Sequence, residues 1–98
     1  MLKKRYFKTK GECEVTFEYT TPATEVALVI EANNWEPVSM KKGKGDTFQT
    51  KVRLPMDGRY QFRYLVDKAN WANDESADAY WPNEYGETNS VVDTYSAN

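Results

Sequence analysis

The feature that most constrains the fold is a strict alternation of apolar and polar residues between Cys13 and Tyr19. Cysteine, valine, phenylalanine and tyrosine occupy every second position, and glutamate and threonine occupy the positions between them. A period of two residues is typical of a β-strand that buries one of its faces. No part of the chain shows the 3.6-residue period of an amphipathic helix. The sequence therefore predicts an all-β protein.

Further segments continue the β pattern and are separated by turn residues. They are Glu25–Ala32, Val38–Lys42, Thr47–Leu54, Arg59–Val66 and a last strand within Ser90–Tyr95. The turn residues Gly43–Asp46 and Pro55–Gly58 predict a hairpin on either side of the segment Thr47–Leu54. About seven short strands at regular spacing predict an immunoglobulin-like antiparallel β-sandwich.

Residues 72–88 interrupt this pattern because they show no hydrophobic period. They nevertheless contain Tyr80, Trp81 and Tyr85, which a disordered segment would not be expected to carry. We therefore expect an ordered surface loop there.

Length and composition limit the functions that the chain can have. Ninety-eight residues predict one domain, spanning residues 1–98, with a shallow ligand site at most. Thirteen basic against 15 acidic residues give a net charge of −2, which argues against a dedicated nucleic-acid binder. With no histidine and with Cys13 as its one cysteine, the chain offers no Cys/His metal set and no histidine-dependent catalytic group. No apolar run reaches the length of a signal peptide or membrane span, so we expect a cytoplasmic protein without membrane partners.

Two tryptophans stand in turns at strand ends. Trp35 follows two asparagines, and Trp71 follows the turn 67–70. Each indole either closes the core at that end of the sandwich or offers a flat exposed surface on which a sugar ring can stack. The exposed arrangement is favoured for both, whereas Trp81, next to Pro82, is interpreted as structural. Arg63 lies on the outer side of its strand and points either toward a ligand or simply toward solvent.

Three blocks of sequence carry a family resemblance. They are Val26–Val29 leading to Asn33-Asn34-Trp35, Gly58–Asp67 leading to Trp71, and Gly86–Val92. Over Glu12–Thr94 the chain resembles the glycogen-binding or isoamylase early-set modules, the family-48 carbohydrate-binding modules. It is similar to the glycogen-binding region of AMP-activated kinase β subunits and to modules of branching and debranching enzymes. The resemblance implies non-catalytic binding of α-1,4-glucans such as glycogen, starch and maltooligosaccharides.

The same resemblance implies five binding residues and no metal or cofactor. Trp35 and Trp71 would provide stacking surfaces, and Arg63 and Asn89 would hydrogen-bond glucose hydroxyls. Tyr85 stands where an apolar side chain reaches through the ring of the ligand. The implied partner is an α-glucan oligosaccharide or polysaccharide, with a glycogen-metabolising enzyme as a further candidate, and we expect a monomer or weak homodimer.

Three other functions are weighed against this one. The acidic residues of the loop, Asp74, Glu75, Asp78, Glu84 and Glu87, offer carboxylates of the kind glycosidases use, but an exposed loop cannot bury a catalytic pair. The basic segment Lys3–Lys10 suggests nucleic-acid binding, although lysines on an edge strand also prevent aggregation. A protein-interaction module that has lost sugar binding is the third, since Ile30 and Ala32 stand where the family has glycine and phenylalanine. Alanine there predicts a hole unless Ile30 or a partner chain fills it.

Overall fold

The computed structural model describes residues 2–96, which contain β-strands and single turns of 3₁₀ helix. The strands in chain order are Leu2–Phe7 (β1), Glu12–Thr20 (β2), Val26–Ile30 (β3), Val38–Ser39 (β4), Lys41–Lys42 (β5), Thr47–Pro55 (β6), Arg59–Val66 (β7), Asn70–Ala72 (β8), Ala79–Pro82 (β9) and Thr88–Asp93 (β10). Within this described part, no helix is long and apolar enough to cross a bilayer.

The strands form two antiparallel sheets that pack as a sandwich. The first sheet has the order β1-β2-β6-β5, and the second has the order β4-β3-β7-β10-β9 with β8 paired to one end of β7. The predicted all-β sandwich class is confirmed. The number of strands is ten across residues 2–96, rather than about seven.

Apart from β1, the additional strands are short, and periodicity could not reveal them. The predicted strand Val38–Lys42 divides at the buried Met40, so that β4 pairs with β3 in one sheet and β5 pairs with β6 in the other. β8 and β9 lie in or beside the segment expected to be a loop, and β9 pairs with β10 over Ala79–Pro82. Strands of two to four residues are too short to display an alternation, because a period of two needs several repeats to be recognised.

The segment Pro55–Gly58 joins the two sheets instead of closing the expected hairpin. β6 pairs with β2 and β5, whereas β7 pairs with β3, so the chain changes sheets between them. Asp57 takes the left-handed conformation here, with φ 62°. Gly58 is needed for close approach, because a Cβ atom at this position would lie 2.6 Å from the Tyr60 hydroxyl oxygen. The predicted reversal is present, but its strands belong to different sheets.

β2 and β7 supply the centre of the core, as their alternation predicts. The Phe17 and Phe62 rings meet edge to face at 5.0 Å between centroids, and Tyr19 stacks on Tyr64 at 4.7 Å. Burial of one large apolar side chain stabilises a fold by about 1.5–3 kcal/mol, so these facing rows hold the sheets together. The fully buried residues of the two strands are Cys13, Val15, Phe17, Phe62 and Tyr64.

Ile30 and Ala32, which stand where the resembled family has glycine and phenylalanine, border a shallow depression at the edge of the sandwich. Ile30 is fully buried, while Ala32 is exposed in the 3₁₀ turn that follows β3. A space of about 240 Å³ opens beside Ala32, between Ile30 and the apolar side chains of Val38, Val52 and Leu54. Ile30 therefore fills the core, but the hole expected from a small residue at position 32 is only partly closed.

Candidate functional site

The outer face of the second sheet carries most of the predicted binding residues. Along β7, Phe62 and Tyr64 belong to the core cluster, so Arg63 between them points outward. Ser90 of β10 pairs with Phe62 and is buried, which places its neighbour Asn89 on the outer face as well. Arg63 and Asn89 are therefore neighbours on adjacent strands.

Arg63 lies between Trp71 and Glu87. Its Cζ atom is 5.6 Å from the centroid of the Trp71 ring, and its Nη1 is 3.0 Å from Glu87 Oε1. The Arg63 side chain is only 15% exposed, whereas that of Glu87 is 61% exposed. Arg63 Nε is buried and has no hydrogen-bond partner within residues 2–96. The arginine thus supports the indole and the carboxylate from below, and those two groups form the surface that a ligand would meet.

The β7–β8 hairpin places Trp71 on this face. Trp71 pairs with Leu65 and therefore shares the outward side of the sheet with Leu65 and Arg63. The turn contains two successive residues in the left-handed conformation, beginning with Asp67 at φ 50°. The Asp67 carboxylate stabilises the turn by accepting hydrogen bonds from two backbone N–H groups just before β3, at 2.9 and 3.0 Å. Trp71 is 50% exposed, so it does not close the core.

Asn83 organises the loop between β9 and β10. Its Oδ1 accepts hydrogen bonds from the backbone N–H groups of Tyr85 and Glu87, at 2.9 and 3.0 Å. Its Nδ2 donates to Asn89 Oδ1 at 3.2 Å, and Asn89 Nδ2 donates in turn to Gln61 Oε1 at 3.1 Å. The loop is thereby fixed to the outer face of the sheet, with Tyr85 at its tip and 81% exposed.

Trp35 lies in a tight turn at the end of β3. Asn34 and Trp35 both adopt positive φ angles, 55° and 61°, which is uncommon for bulky residues. The Trp35 N–H donates to the carbonyl oxygen of Ile30 at 3.0 Å. The Glu31 carboxylate accepts a hydrogen bond from the Gln61 N–H at 2.7 Å and so ties the turn to β7. Trp35 is 42% exposed and, like Trp71, does not close the core.

The structure brings four of the five predicted residues into one connected group. Arg63 contacts Trp71, Asn89 is its neighbour on the next strand, and Asn83 links Asn89 to the backbone of Tyr85. Trp35 lies apart from this group, in the turn that follows β3.

The register of β7 measures how far apart the two turn tryptophans are anchored. Ile30, which anchors the Trp35 turn, pairs with Phe62, and Trp71 pairs with Leu65, three residues further along β7. The two anchor points also lie on opposite edges of β7, two strand spacings apart, so at 3.3 Å per residue and 4.8 Å between strands they are separated by about 14 Å. A ligand that touches both rings must therefore be longer than one sugar ring.

Sequence reasoning missed two residues that shape this site. The sequence suggests Glu87 only as a candidate catalytic carboxylate and gives no reason to select Asn83. Glu87 stands in the block Gly86–Val92 that carries the family resemblance, and its charge is opposite to that of Arg63. These opposite charges are the sequence signal that could have suggested an ion pair between them. No local pattern marks Asn83, because its hydrogen bonds depend on how the loop closes.

Three of the five carboxylates weighed for catalysis, Asp74, Asp78 and Glu87, have structural contacts. Asp74 is fully buried and accepts hydrogen bonds from the Tyr64 hydroxyl at 2.7 Å and from the Ser76 N–H at 2.8 Å. Burial is the main cause that raises the pKa of the Tyr64 hydroxyl well above its usual range, and the hydrogen bond to Asp74 raises it further. Asp78 lies 2.7 Å from Lys4 Nζ. Across residues 2–96, no group of three or more cysteine, aspartate or glutamate side chains is placed to hold a metal ion.

Two of the basic residues near the start of the chain, Lys3 and Lys4, are paired with acids. β1 forms an edge of the first sheet, where Lys3 Nζ lies 3.5 Å from Glu18 Oε1 and Lys4 pairs with Asp78. Pairing of this kind weakens the field that would attract a phosphate backbone. Protection of the sheet edge is the simpler explanation of these lysines.

Solved structures with the same fold belong to larger proteins. Enterobactin esterase FES from Shigella flexneri, solved with 2,3-dihydroxy-N-benzoyl-serine, matches with a TM-score of 0.76 and 15% identity, over 95% of this chain and 32% of that one. Ferric enterobactin esterase from Salmonella typhimurium matches with a TM-score of 0.74 and 14% identity, over 95% of this chain and 34% of that one. The chain thus spans about a third of these proteins, and identities this low show a shared fold alone.

The sequence itself identifies the family. No curated protein sequence matches the chain. Residues 13–97 match the family described as the glycogen recognition site of AMP-activated protein kinase. Because the match covers these residues of a 98-residue chain, the protein belongs to this family of carbohydrate-binding, glycogen-recognition modules.

Proposed function

We propose that the chain binds α-1,4-glucans, such as glycogen, starch and maltooligosaccharides, on the outer face of the second sheet and does not alter them chemically. The observation that carries this proposal is the Trp71 ring, which is half exposed and lies beside the Arg63 guanidinium at 5.6 Å. An indole held in this way offers a rigid flat surface for the C–H face of a sugar ring. Trp35 provides a second stacking surface for a sugar unit further along the ligand.

Polar groups around Trp71 select the geometry of the sugar hydroxyls. The Asn89 amide has donor and acceptor capacity beyond its two bonds to Asn83 and Gln61. Arg63 orients the Glu87 carboxylate through their ion pair. The exposed oxygens of Glu87 can then accept hydrogen bonds from sugar hydroxyls. Tyr85 reaches toward the ligand from the loop tip. This combination gives affinity through the rings and selectivity through the directional bonds.

The chain acts in this proposal as one binding unit of residues 1–98, monomeric or weakly dimeric, in the cytoplasm. A glycogen-metabolising enzyme is its candidate protein partner. Binding the glucan would hold such an enzyme at its polymeric substrate by raising its local concentration.

The proposal predicts that Trp35→Ala and Trp71→Ala each weaken the binding of maltoheptaose. Stacking on an aromatic side chain contributes on the order of 1–3 kcal/mol for nucleobases, and sugars should lie near the lower end. Each substitution should therefore weaken binding by about five- to thirtyfold. Isothermal titration calorimetry measures the affinity, and a thermal melt of each variant should stay close to that of the parent.

Tyr95→Ala is the matched control, because Tyr95 is a similarly exposed aromatic residue that packs against Arg59 instead of Arg63. It should leave the affinity unchanged. A Trp35→Ala or Trp71→Ala variant that binds as tightly as the parent removes that residue from the site. A parent that binds no α-glucan favours the protein-interaction alternative, and turnover of amylose that disappears on removal of one carboxylate would favour an enzyme.

A further inference from the structure

We propose that Trp81 forms an additional stacking surface on the same face, so that the site holds an extended α-glucan running from Trp71 across Asn89 to Trp81. This inference rests on the proposed glucan binding and assigns the outer part of that site. It departs from the interpretation of Trp81 as structural.

The register of β9 places Trp81 on the outer face. Trp81 pairs with Asn89 of β10, which lies beside Arg63, whereas Tyr80 pairs with the buried Ser90. Paired residues of adjacent strands share a face, so the Trp81 ring projects from the same side as Arg63, Asn89 and Trp71.

Tyr80 and Trp81 have different roles although both are partly exposed. The Tyr80 hydroxyl donates a hydrogen bond to the carbonyl oxygen of Asp74 and accepts one from the Ala77 N–H, so it fastens the preceding loop. Trp81 lies outside the core cluster and is 37% exposed. Within residues 2–96 its indole makes neither a hydrogen bond nor a ring contact. More than a third of this large residue is thus open to solvent on an edge strand, where a ligand can reach it.

The spacing of the two rings suits a chain of sugars. β3 occupies one edge of β7 at Phe62–Val66, so β8 and β10 both lie along the other edge, where Trp71 is opposite Leu65 and Ser90 is opposite Phe62. Trp71 and Asn89 are thus about two residues apart along β7, and Trp81 lies one strand beyond. With 3.3 Å per residue and 4.8 Å between strands, the Trp71 and Trp81 backbones are about 8 Å apart. One sugar ring cannot cover both, but consecutive units of an oligosaccharide can.

The surface between the rings is polar, which favours a hydroxylated ligand over a protein. The polar groups beside the rings are the amides of Asn83 and Asn89 and the ion pair between Arg63 and Glu87. The centre of a protein interface is usually depleted of charged side chains. Separated aromatic surfaces with amides between them match a ligand whose flat C–H faces alternate with hydroxyl groups.

The experiment compares maltotriose with maltoheptaose by titration calorimetry against the parent chain, Trp81→Ala, Trp81→Phe and Trp71→Ala. Trp81→Ala should weaken maltoheptaose binding about five- to tenfold and change maltotriose binding by less than about twofold. Trp81→Phe keeps a ring and should retain most of the affinity. Trp71→Ala should weaken both ligands, because its ring belongs to the inner part of the site.

A measurement on the parent keeps the inference testable if Trp81→Ala does not fold. In a two-dimensional NMR titration, the indole N–H signal that is absent from Trp81→Phe identifies Trp81. It should shift on addition of maltoheptaose and stay in place with maltotriose.

The outcomes separate this inference from the proposed function. If Trp71→Ala weakens binding but Trp81→Ala does not, the glucan site stands and the role of Trp81 is rejected. Equal weakening of both ligands by Trp81→Ala also rejects an outer subsite, because the ring would then belong to the inner part. If the parent binds neither ligand, the proposed function and this inference fail together.

Discussion

At the scale of single residues, Arg63 contacts two groups of the proposed site, Glu87 and the Trp71 ring. Its side chain is 15% exposed and its Nε has no partner within residues 2–96, so much of its charge is removed from water. Glu87 and the Trp71 ring compensate that charge from two sides. Removing one partner of a partly desolvated ion pair costs more than removing one partner of an exposed pair, which contributes about 0–1 kcal/mol. We therefore expect Glu87 to influence the position of both Arg63 and Trp71.

Glu87→Gln should weaken maltoheptaose binding by about two- to fivefold, because the neutral amide holds the guanidinium less firmly against the indole. Calorimetric titration of the purified variant measures the change. Asp46→Asn, which removes the charge of an exposed pair with Lys42 in the other sheet, is the matched control and should bind like the parent. Binding that is unchanged in Glu87→Gln would show that Trp71 is positioned without the ion pair.

The placement of the candidate binding residues could be predicted largely from the sequence. Trp35 and Trp71 stand beside turn residues, and the strand alternation points Arg63 outward. The contribution of Asn83 and the orientation of Trp81 could not be predicted, because they depend on how one loop closes and on the register between β9 and β10. These are pairings between segments, which local sequence patterns do not encode.

At the scale of elements, local signals located the turns but identified the strands that pair across them only in part: β5 and β6 pair across Gly43–Asp46 as predicted. Pro55–Gly58 reverses the chain, yet β6 and β7 belong to different sheets. The segment Val38–Lys42 reads as one strand but serves both sheets, because burial of Met40 takes the chain from one layer to the other. Long strands with buried faces, such as β2 and β7, were predictable because each supplies several repeats of the alternation.

The depression beside Ala32 gives a prediction about the edge between β3 and β6. Ala32→Leu should raise the free energy of unfolding by about 0.5–2 kcal/mol, because the larger side chain can cover Ile30 and Leu54 in a space of about 240 Å³. Urea unfolding followed by circular dichroism measures this difference. Ala32→Ser adds no apolar surface and should give no increase. A less stable Ala32→Leu variant would mean that the space cannot accept a branched side chain without strain.

At the scale of the whole molecule, the sandwich separates stability from binding. The core lies between the sheets and is centred on β2 and β7, whereas the proposed ligand site lies on the outer face of the second sheet. Substitutions on that face should therefore change affinity with little effect on unfolding. Conversely, groups buried between the sheets should control how stability responds to conditions such as pH.

Stability should fall in alkaline solution, starting near pH 9. Burial raises the pKa of the Cys13 thiol above its ordinary 9.0 and that of the Tyr64 hydroxyl above its ordinary 10.0. A raised pKa means that the folded state keeps its proton while the unfolded chain releases it. The stabilisation is therefore complete below the ordinary pKa and is lost as the pH rises above it. The free energy of unfolding falls by about 1.4 kcal/mol per pH unit for each group that is ionised in the unfolded chain but still protonated in the folded protein.

Urea unfolding at intervals between pH 7 and pH 11, in the presence of a reductant, measures this loss. Tyr64→Phe should be less stable than the parent by about 1–3 kcal/mol at pH 7, because the buried Asp74 carboxylate loses a hydrogen-bond donor. Above pH 10 its stability should decline less steeply, because one titrating group has been removed. Tyr85→Phe alters an exposed side chain outside the core and should follow the slope of the parent. If the parent and Tyr64→Phe decline in parallel above pH 10, the proton held by Tyr64 does not control alkaline unfolding.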